Sequence, residues 1–125
     1  MAMSSAETEA AVREAAKRAA AGVKLYVVML EPIKGANHDT HKTEHFRFVE
    51  ELDRKGIIFA SGPMIDDKTE ESDGGSMYIL RASSLAEAEA IARKEPWVTG
   101  GAKTVTVRAW RFATGEAIHV ARRSS

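Results

Sequence analysis

Apolar residues recur along this chain with two different periods, one typical of strands and one typical of helices. Residues 23–32 (VKLYVVMLEP) are apolar at successive positions and rich in β-branched and aromatic side chains, which predicts a strand buried on both faces. In the stretch that follows, His45, Val49 and Leu52 recur at helical spacing on one stripe. This pattern predicts an amphipathic helix that ends before Gly56, with His45 facing inward.

The rest of the chain predicts three more strands and a second helix. We expect Asp39 or Thr40 to cap the first helix, and Gly62-Pro63 to end a strand that begins at Gly56. Residues 76–80 (SMYIL) and 103–112 (KTVTVRAWRF) predict the other strands. The second helix lies between them, and its core face is predicted to comprise Leu85, Ala88, Ile91 and Ala92.

This order of elements, βαββαβ, is typical of the ferredoxin-like α+β fold, in which an antiparallel sheet carries two helices on one face. The strand at 23–32 is apolar on both faces, so the face without those helices also needs a cover. We therefore expect a homodimer in which a second copy stacks on that face and encloses a semi-polar cavity.

The two ends of the chain differ in composition from this central domain, residues 23–112. Residues 1–22 are alanine-rich, and Ser4 with Glu7 has the spacing of a capping box, which predicts a solvated helical extension. Acidic residues in this segment argue against a signal or transit peptide. Residues 113–125 are predicted to form a polar tail.

Charge and composition exclude several classes of function. The 125 residues include 18 Lys and Arg against 18 Asp and Glu, so no basic stripe for nucleic acid is expected. The absence of cysteine excludes disulfides, thiolate nucleophiles and zinc-thiolate sites, and it fits a cytoplasmic protein. No glycine-rich phosphate loop occurs, and we expect no cofactor and no membrane partner.

The histidines at the start of the first helix allow three interpretations. His41 and His45 lie one turn apart, so they are core histidines, a metal-binding pair, or acid/base groups in a pocket. The metal interpretation draws on His38, His41 and His45 with Asp39 and Glu44. The order of these residues does not match His-Glu-x-x-His, so we expect no bound metal.

Several motifs resemble the YCII-related proteins. These are KGIIFASGP, GGSMYIL and SLAEAEAIARKEPWVTGG, and with the preceding helix and the last strand they extend the resemblance over residues 23–112. The resemblance implies a dimeric α+β barrel related to muconolactone isomerase. It also implies lyase or dehydrochlorinase chemistry on small aromatic or unsaturated acids. His45 matches the family's helix histidine, and Glu95 stands where the family usually has Asp.

These observations lead to two functional hypotheses that use the same residues. In the first, His45 transfers protons as the acid/base of a lyase or isomerase acting on a small organic acid, and Glu95 fixes its tautomer. Lys42 and Arg108 would anchor a substrate carboxylate, and Ser76 would hydrogen-bond the ligand. In the second, the cavity is a non-catalytic module that binds a small ligand.

Overall fold

The computed structural model describes residues 2–123 and confirms the βαββαβ order within the central part of the chain. A short 3-10 turn, Asp39–His41, precedes the second helix. The helices are α1 Ser5–Ala20, α2 Lys42–Arg54, α3 Leu85–Ala92, α4 Pro96–Thr99 and α5 Ile118–Arg122. The strands are β1 Val23–Pro32, β2 Ile58–Ile65, β3 Ser72–Leu80 and β4 Lys103–Phe112.

The chain divides into two compact units. The larger unit spans Leu25–Trp110 and contains most of the four-stranded sheet together with α2, α3 and α4. The smaller unit comprises the segment up to Lys24 and the segment from Arg111 onward, so it includes α1 and α5.

The sheet of the larger unit has the strand order β2-β3-β1-β4, with β3 antiparallel to both β1 and β2. This is the order expected when a βαβ unit is split by an inserted strand. In the central pair, Val28 lies opposite Tyr78 and Leu30 lies opposite Ser76. Side chains alternate between the two faces of a strand, so these four residues share one face.

The hydrophobic core lies between that face and the helices. Tyr26, Val28 and Leu30 of β1 are at most 1% exposed. Ala88 and Ala92 of α3 are buried in the same cluster, whose full membership is Tyr26, Val28, Leu30, Tyr78, Leu80, Ala88 and Ala92. Val49 of α2 also packs against this cluster. Both predicted helices therefore pack on one face of the sheet, as the pattern indicated.

The opposite face of the central strands is also largely apolar. Val27 and Ile79 are paired across β1 and β3, as are Met29 and Met77. Met77 is 37% exposed, while Val27, Met29 and Ile79 are half-buried. We refer to Val27, Met29, Met77 and Ile79 as the outer sheet patch.

Three details of the predicted elements were wrong. Strand β2 continues through Gly62-Pro63, because β2 is an edge strand where a proline without an N–H is tolerated; the pairing with β3 is irregular next to Pro63. Neither Asp39 nor Thr40 caps α2. The 3-10 turn takes that place, with the Lys42 N–H donating to the Asp39 carbonyl. Leu85, at the start of α3, is 41% exposed and lies outside the core.

The smaller unit contains the predicted helical extension. The Ser4 side chain accepts from the Glu7 N–H, and the Glu7 side chain accepts from the Ser4 N–H, so the predicted capping box is present. No residue of α1 is buried. Residues 118–122, within the predicted polar tail, form the short helix α5, in which Ala121 is buried.

Candidate active site

The short helix α4 positions the carboxylate that faces α2. Pro96 opens α4 because a proline at the first helical position lacks only an N–H that would have no partner there. Glu95 precedes it as the N-cap, and its Oε2 accepts from the Trp97 N–H at 2.7 Å. That cap holds the Glu95 side chain, which is fully buried, in a single orientation.

The other carboxylate oxygen of Glu95 pairs with His45. Its Oε1 lies within hydrogen-bonding contact of Nδ1 of His45, which projects from α2 and is 6% exposed. The Trp97 ring stacks on the imidazole, with the ring centroids 3.6 Å apart and the planes inclined by 24°. Helix α2 and the Glu95-Pro96-Trp97 turn therefore fix the position of the imidazole together.

A tyrosine completes the surroundings of this nitrogen. The hydroxyl oxygen of Tyr78, on β3, lies 3.3 Å from Nδ1 of His45. Burial raises the pKa of the Tyr78 phenol well above its ordinary value of 10.0, and the negative charge of Glu95 raises it further. Tyr78 is therefore a neutral hydroxyl at physiological pH.

His45 lies at the wall of a cavity of about 540 Å³. Cavities of that size hold small organic ligands. Among the described residues, no group hydrogen-bonds Nε2 of His45, the ring nitrogen opposite the one that faces Glu95. The wall combines apolar and polar residues: His38, Asp39, Lys42, His45, Phe46, Val49, Ser61, Gly62, Pro63, Ser72, Gly74, Gly75, Ser76, Tyr78, Trp97 and Lys103.

The structure brings together four of the five residues singled out from the sequence. Lys42 and Ser76 line the cavity with His45, and Glu95 lies directly behind His45. Lys42 is exposed at the first turn of α2, whereas Ser76 is 7% exposed on β3. Arg108 is exposed on β4 and does not line this cavity. It alternates with Val105 and Val107, which pack on the core, so it points to the opposite face of the sheet.

Lys103 lines the same cavity and was missed at the sequence level. It is 5% exposed, and its ammonium lies 3.5 Å from the centroid of the Trp97 ring. Burial lowers the pKa of this ammonium, while the negative charges of Glu95 and Asp73 oppose part of that shift. The alternation of β4 held the necessary information, because Lys103 is in phase with Val105 and Val107 on the helix side.

The residues of the metal hypothesis are dispersed in the structure. Nδ1 of His41 lies 3.6 Å from a Glu44 carboxylate oxygen, whereas Nε2 of His38 lies 3.2 Å from the Ala102 carbonyl oxygen. Within residues 2–123, no three His, Asp or Glu side chains are grouped so that they could hold a metal ion. In the same part of the chain, every helix is too short or too polar to span a bilayer.

Comparisons with known proteins agree with this architecture. Residues 24–111 match the YCII-related domain. The chain is 30% identical to the uncharacterized protein YjpA of Bacillus subtilis (strain 168) over 72 residues, which is 58% of this chain and 78% of that protein.

A solved structure has the same fold. It is the 5-chloro-2-hydroxyhydroquinone dehydrochlorinase TftG of Burkholderia phenoliruptrix AC1100 in complex with 2,5-dihydroxybenzoquinone. The TM-score is 0.60 at 22% identity, and the alignment covers 74% of this chain and 96% of that one. At this identity the likeness concerns the fold alone.

Proposed function

Because the chain belongs to the YCII-related family, we propose that it is an enzyme of lyase or isomerase type that moves a proton on a small organic acid through His45. One observation carries this proposal. The buried carboxylate of Glu95 engages Nδ1 of His45, while Nε2 has no partner among the described residues. A histidine held in this way at a cavity wall has the arrangement of a general acid/base.

The contacts of the pair favour one tautomer of the neutral imidazole. A carboxylate facing Nδ1 favours the tautomer with its proton on Nδ1, so Nε2 keeps a lone pair. That lone pair accepts a proton from the ligand, and Glu95 stabilises the imidazolium that forms. In an isomerisation, the same Nε2 then returns the proton to another ligand atom. In an elimination of HCl, the electron pair left on the ligand forms a new double bond as the C–Cl bond breaks, chloride leaves, and Nε2 releases its proton to water. The stacked Trp97 ring keeps the imidazole from turning away.

The wall of the cavity supports a small ring-shaped acid as the substrate. Phe46, Val49 and Trp97 provide apolar surface for a flat ring. Ser76 provides a hydroxyl for a hydrogen bond to the substrate, and Lys42 provides a cation at the mouth. Arg108 has no part in this proposal because it does not line the cavity.

We further propose that the protein works as a cytoplasmic homodimer. The outer sheet patch is apolar and includes Met77, which is 37% exposed. If the same patch of a second copy packs against it, both patches are removed from water. Contact between identical patches gives the dimer two-fold symmetry. The absence of cysteine from the sequence supports a reducing compartment.

The test is turnover with substitutions that remove one property at a time. We suggest 5-chloro-2-hydroxyhydroquinone as the first substrate, with chloride release as the readout. His45→Asn keeps a hydrogen-bond donor near Glu95 but lacks a nitrogen equivalent to Nε2, so kcat should fall about a hundredfold or more. Glu95→Gln keeps an oxygen for the Trp97 N–H but loses the charge. Its kcat should lie between that of the unsubstituted protein and that of His45→Asn.

The matched control is His41→Asn, which changes a half-buried histidine at the same end of the helix that does not line the cavity. Its turnover should equal that of the unsubstituted protein. Equal chloride release by the unsubstituted protein and His45→Asn would contradict the acid/base proposal. Binding of 2,5-dihydroxybenzoquinone without any turnover would favour the non-catalytic ligand-binding module.

A further inference from the structure

Lys103 is a buried cation without a carboxylate partner. Only 5% of the residue is exposed, yet none of the ion pairs found within residues 2–123 includes its ammonium. Lysines are almost never buried to this extent unless they are paired. The ammonium lines the cavity, so its missing partner has to be sought there.

The nearby negative charge is already engaged by other groups. Glu95 acts on Lys103 electrostatically, but one of its oxygens faces His45 and the other accepts from the Trp97 N–H. The Asp73 carboxylate accepts from the Gly75 N–H at 2.7 Å. Neither carboxylate forms an ion pair with the ammonium, which therefore keeps its capacity to donate hydrogen bonds.

The Trp97 ring alone does not explain why a lysine stands here. The ammonium lies 3.5 Å from the ring centroid, a favourable cation–π geometry. However, a methionine side chain would pack on the ring equally well without a charge to desolvate. The presence of a lysine at this position is explained if a ligand in the cavity places an anionic group next to the ammonium.

We propose that Lys103 is a ligand-binding residue that selects small unsaturated rings carrying an ionised oxygen, such as a phenolate, an enolate or a conjugated acid. The ammonium donates to that oxygen, and the ring lies against Trp97 and Phe46. Trp97 contacts both Lys103 and His45, so an oxygen held at Lys103 brings the ring next to Nε2. This inference rests on the proposed function, because it assigns a ligand class to the same cavity.

The experiment measures equilibrium binding of 2,5-dihydroxybenzoquinone, a conjugated acid whose hydroxyl groups ionise readily. Titration calorimetry near pH 7 would compare the unsubstituted protein with Lys103→Met. Loss of a charged hydrogen bond should raise the Kd about tenfold or more. Lys103→Arg, which keeps the charge, should recover part of the affinity. Lys94→Met, which changes an exposed lysine that does not line the cavity, should leave the Kd unchanged.

Two further measurements keep the test decisive. In the unsubstituted protein labelled with ¹⁵N-lysine, the Nζ signal of Lys103 should shift when the quinone is added, whether or not Lys103→Met folds. His45→Asn should still bind the quinone, so a failure of catalysis is distinguished from a failure of anion binding. Unchanged affinity in Lys103→Met, an unmoved Nζ signal, or no binding at millimolar quinone would each overturn the inference.

Discussion

At the scale of single residues, Glu95 combines two functions in one buried side chain. One oxygen caps α4 through the Trp97 N–H, and the other orients His45. The family pattern that this sequence resembles usually has a shorter aspartate at this position, yet the glutamate reaches both partners. The carboxylate is therefore held in place by the local backbone before any ligand enters.

Tyr78 gives a prediction about pH at the same scale. Its pKa in the folded protein is raised above 10.0 by burial and by Glu95, so the folded state keeps a proton that the unfolded state loses. This contribution to stability is complete below pH 10 and is lost as the pH rises further. Above pH 10, the unfolding free energy should fall by about 1.4 kcal/mol per pH unit from this group alone.

Urea unfolding at pH 8 and pH 11 measures the effect. Tyr78→Phe removes the phenol and should lose less stability between the two pH values than the unsubstituted protein does. Other alkaline groups titrate in both proteins, so the difference between the two proteins isolates Tyr78. An equal loss in both would contradict the assigned shift.

At the scale of elements, the C-terminus of α2 depends on a backbone conformation that suits glycine. The helix ends at Arg54, and Gly56 follows the C-cap residue Lys55 with a φ of 74°. Its left-handed conformation lets the chain turn from α2 into β2, and a residue with a Cβ is disfavoured there.

Gly56→Ala should therefore lower the unfolding free energy by about 1 kcal/mol. Gly56→Asn is the matched control, because asparagine tolerates the left-handed region better and should cost less. Thermal unfolding of both variants provides the measurement. A melting temperature for the alanine variant equal to or above that of the asparagine variant would refute this account of the helix end.

At the scale of the whole molecule, the outer sheet patch carries the prediction of assembly. If two copies bury it against each other, light scattering should give twice the chain mass of 13.6 kDa. Met77→Lys places a charge in the patch and should shift the protein toward one chain mass. Glu50→Lys, on the exposed side of α2, changes charge elsewhere and should leave the mass unchanged. A single chain mass for the unsubstituted protein at micromolar concentration would contradict the dimer.

The sequence by itself determined the order and type of the elements in the sheet domain. The spacing of apolar residues along the chain reflects which side chains are buried. The elements β1, α2, α3 and β4 could therefore be predicted from local residues. The inward direction of His45 followed from the same rule. Boundaries that depend on a neighbour could not be predicted, as with Pro63, which is tolerated because β2 lies at the sheet edge.

Only the tertiary structure decided which polar residues meet. The sequence offered both Lys42 and Arg108 as candidate anchors, but they lie on different sides of the sheet domain, and only Lys42 lines the cavity. The structure identifies Tyr78 and Lys103 as site residues, because β3 and β4 direct them toward the cavity that His45 lines from α2. The physical reason is that periodicity fixes the face of each element, whereas the position at which two faces coincide depends on the register and packing of the folded chain.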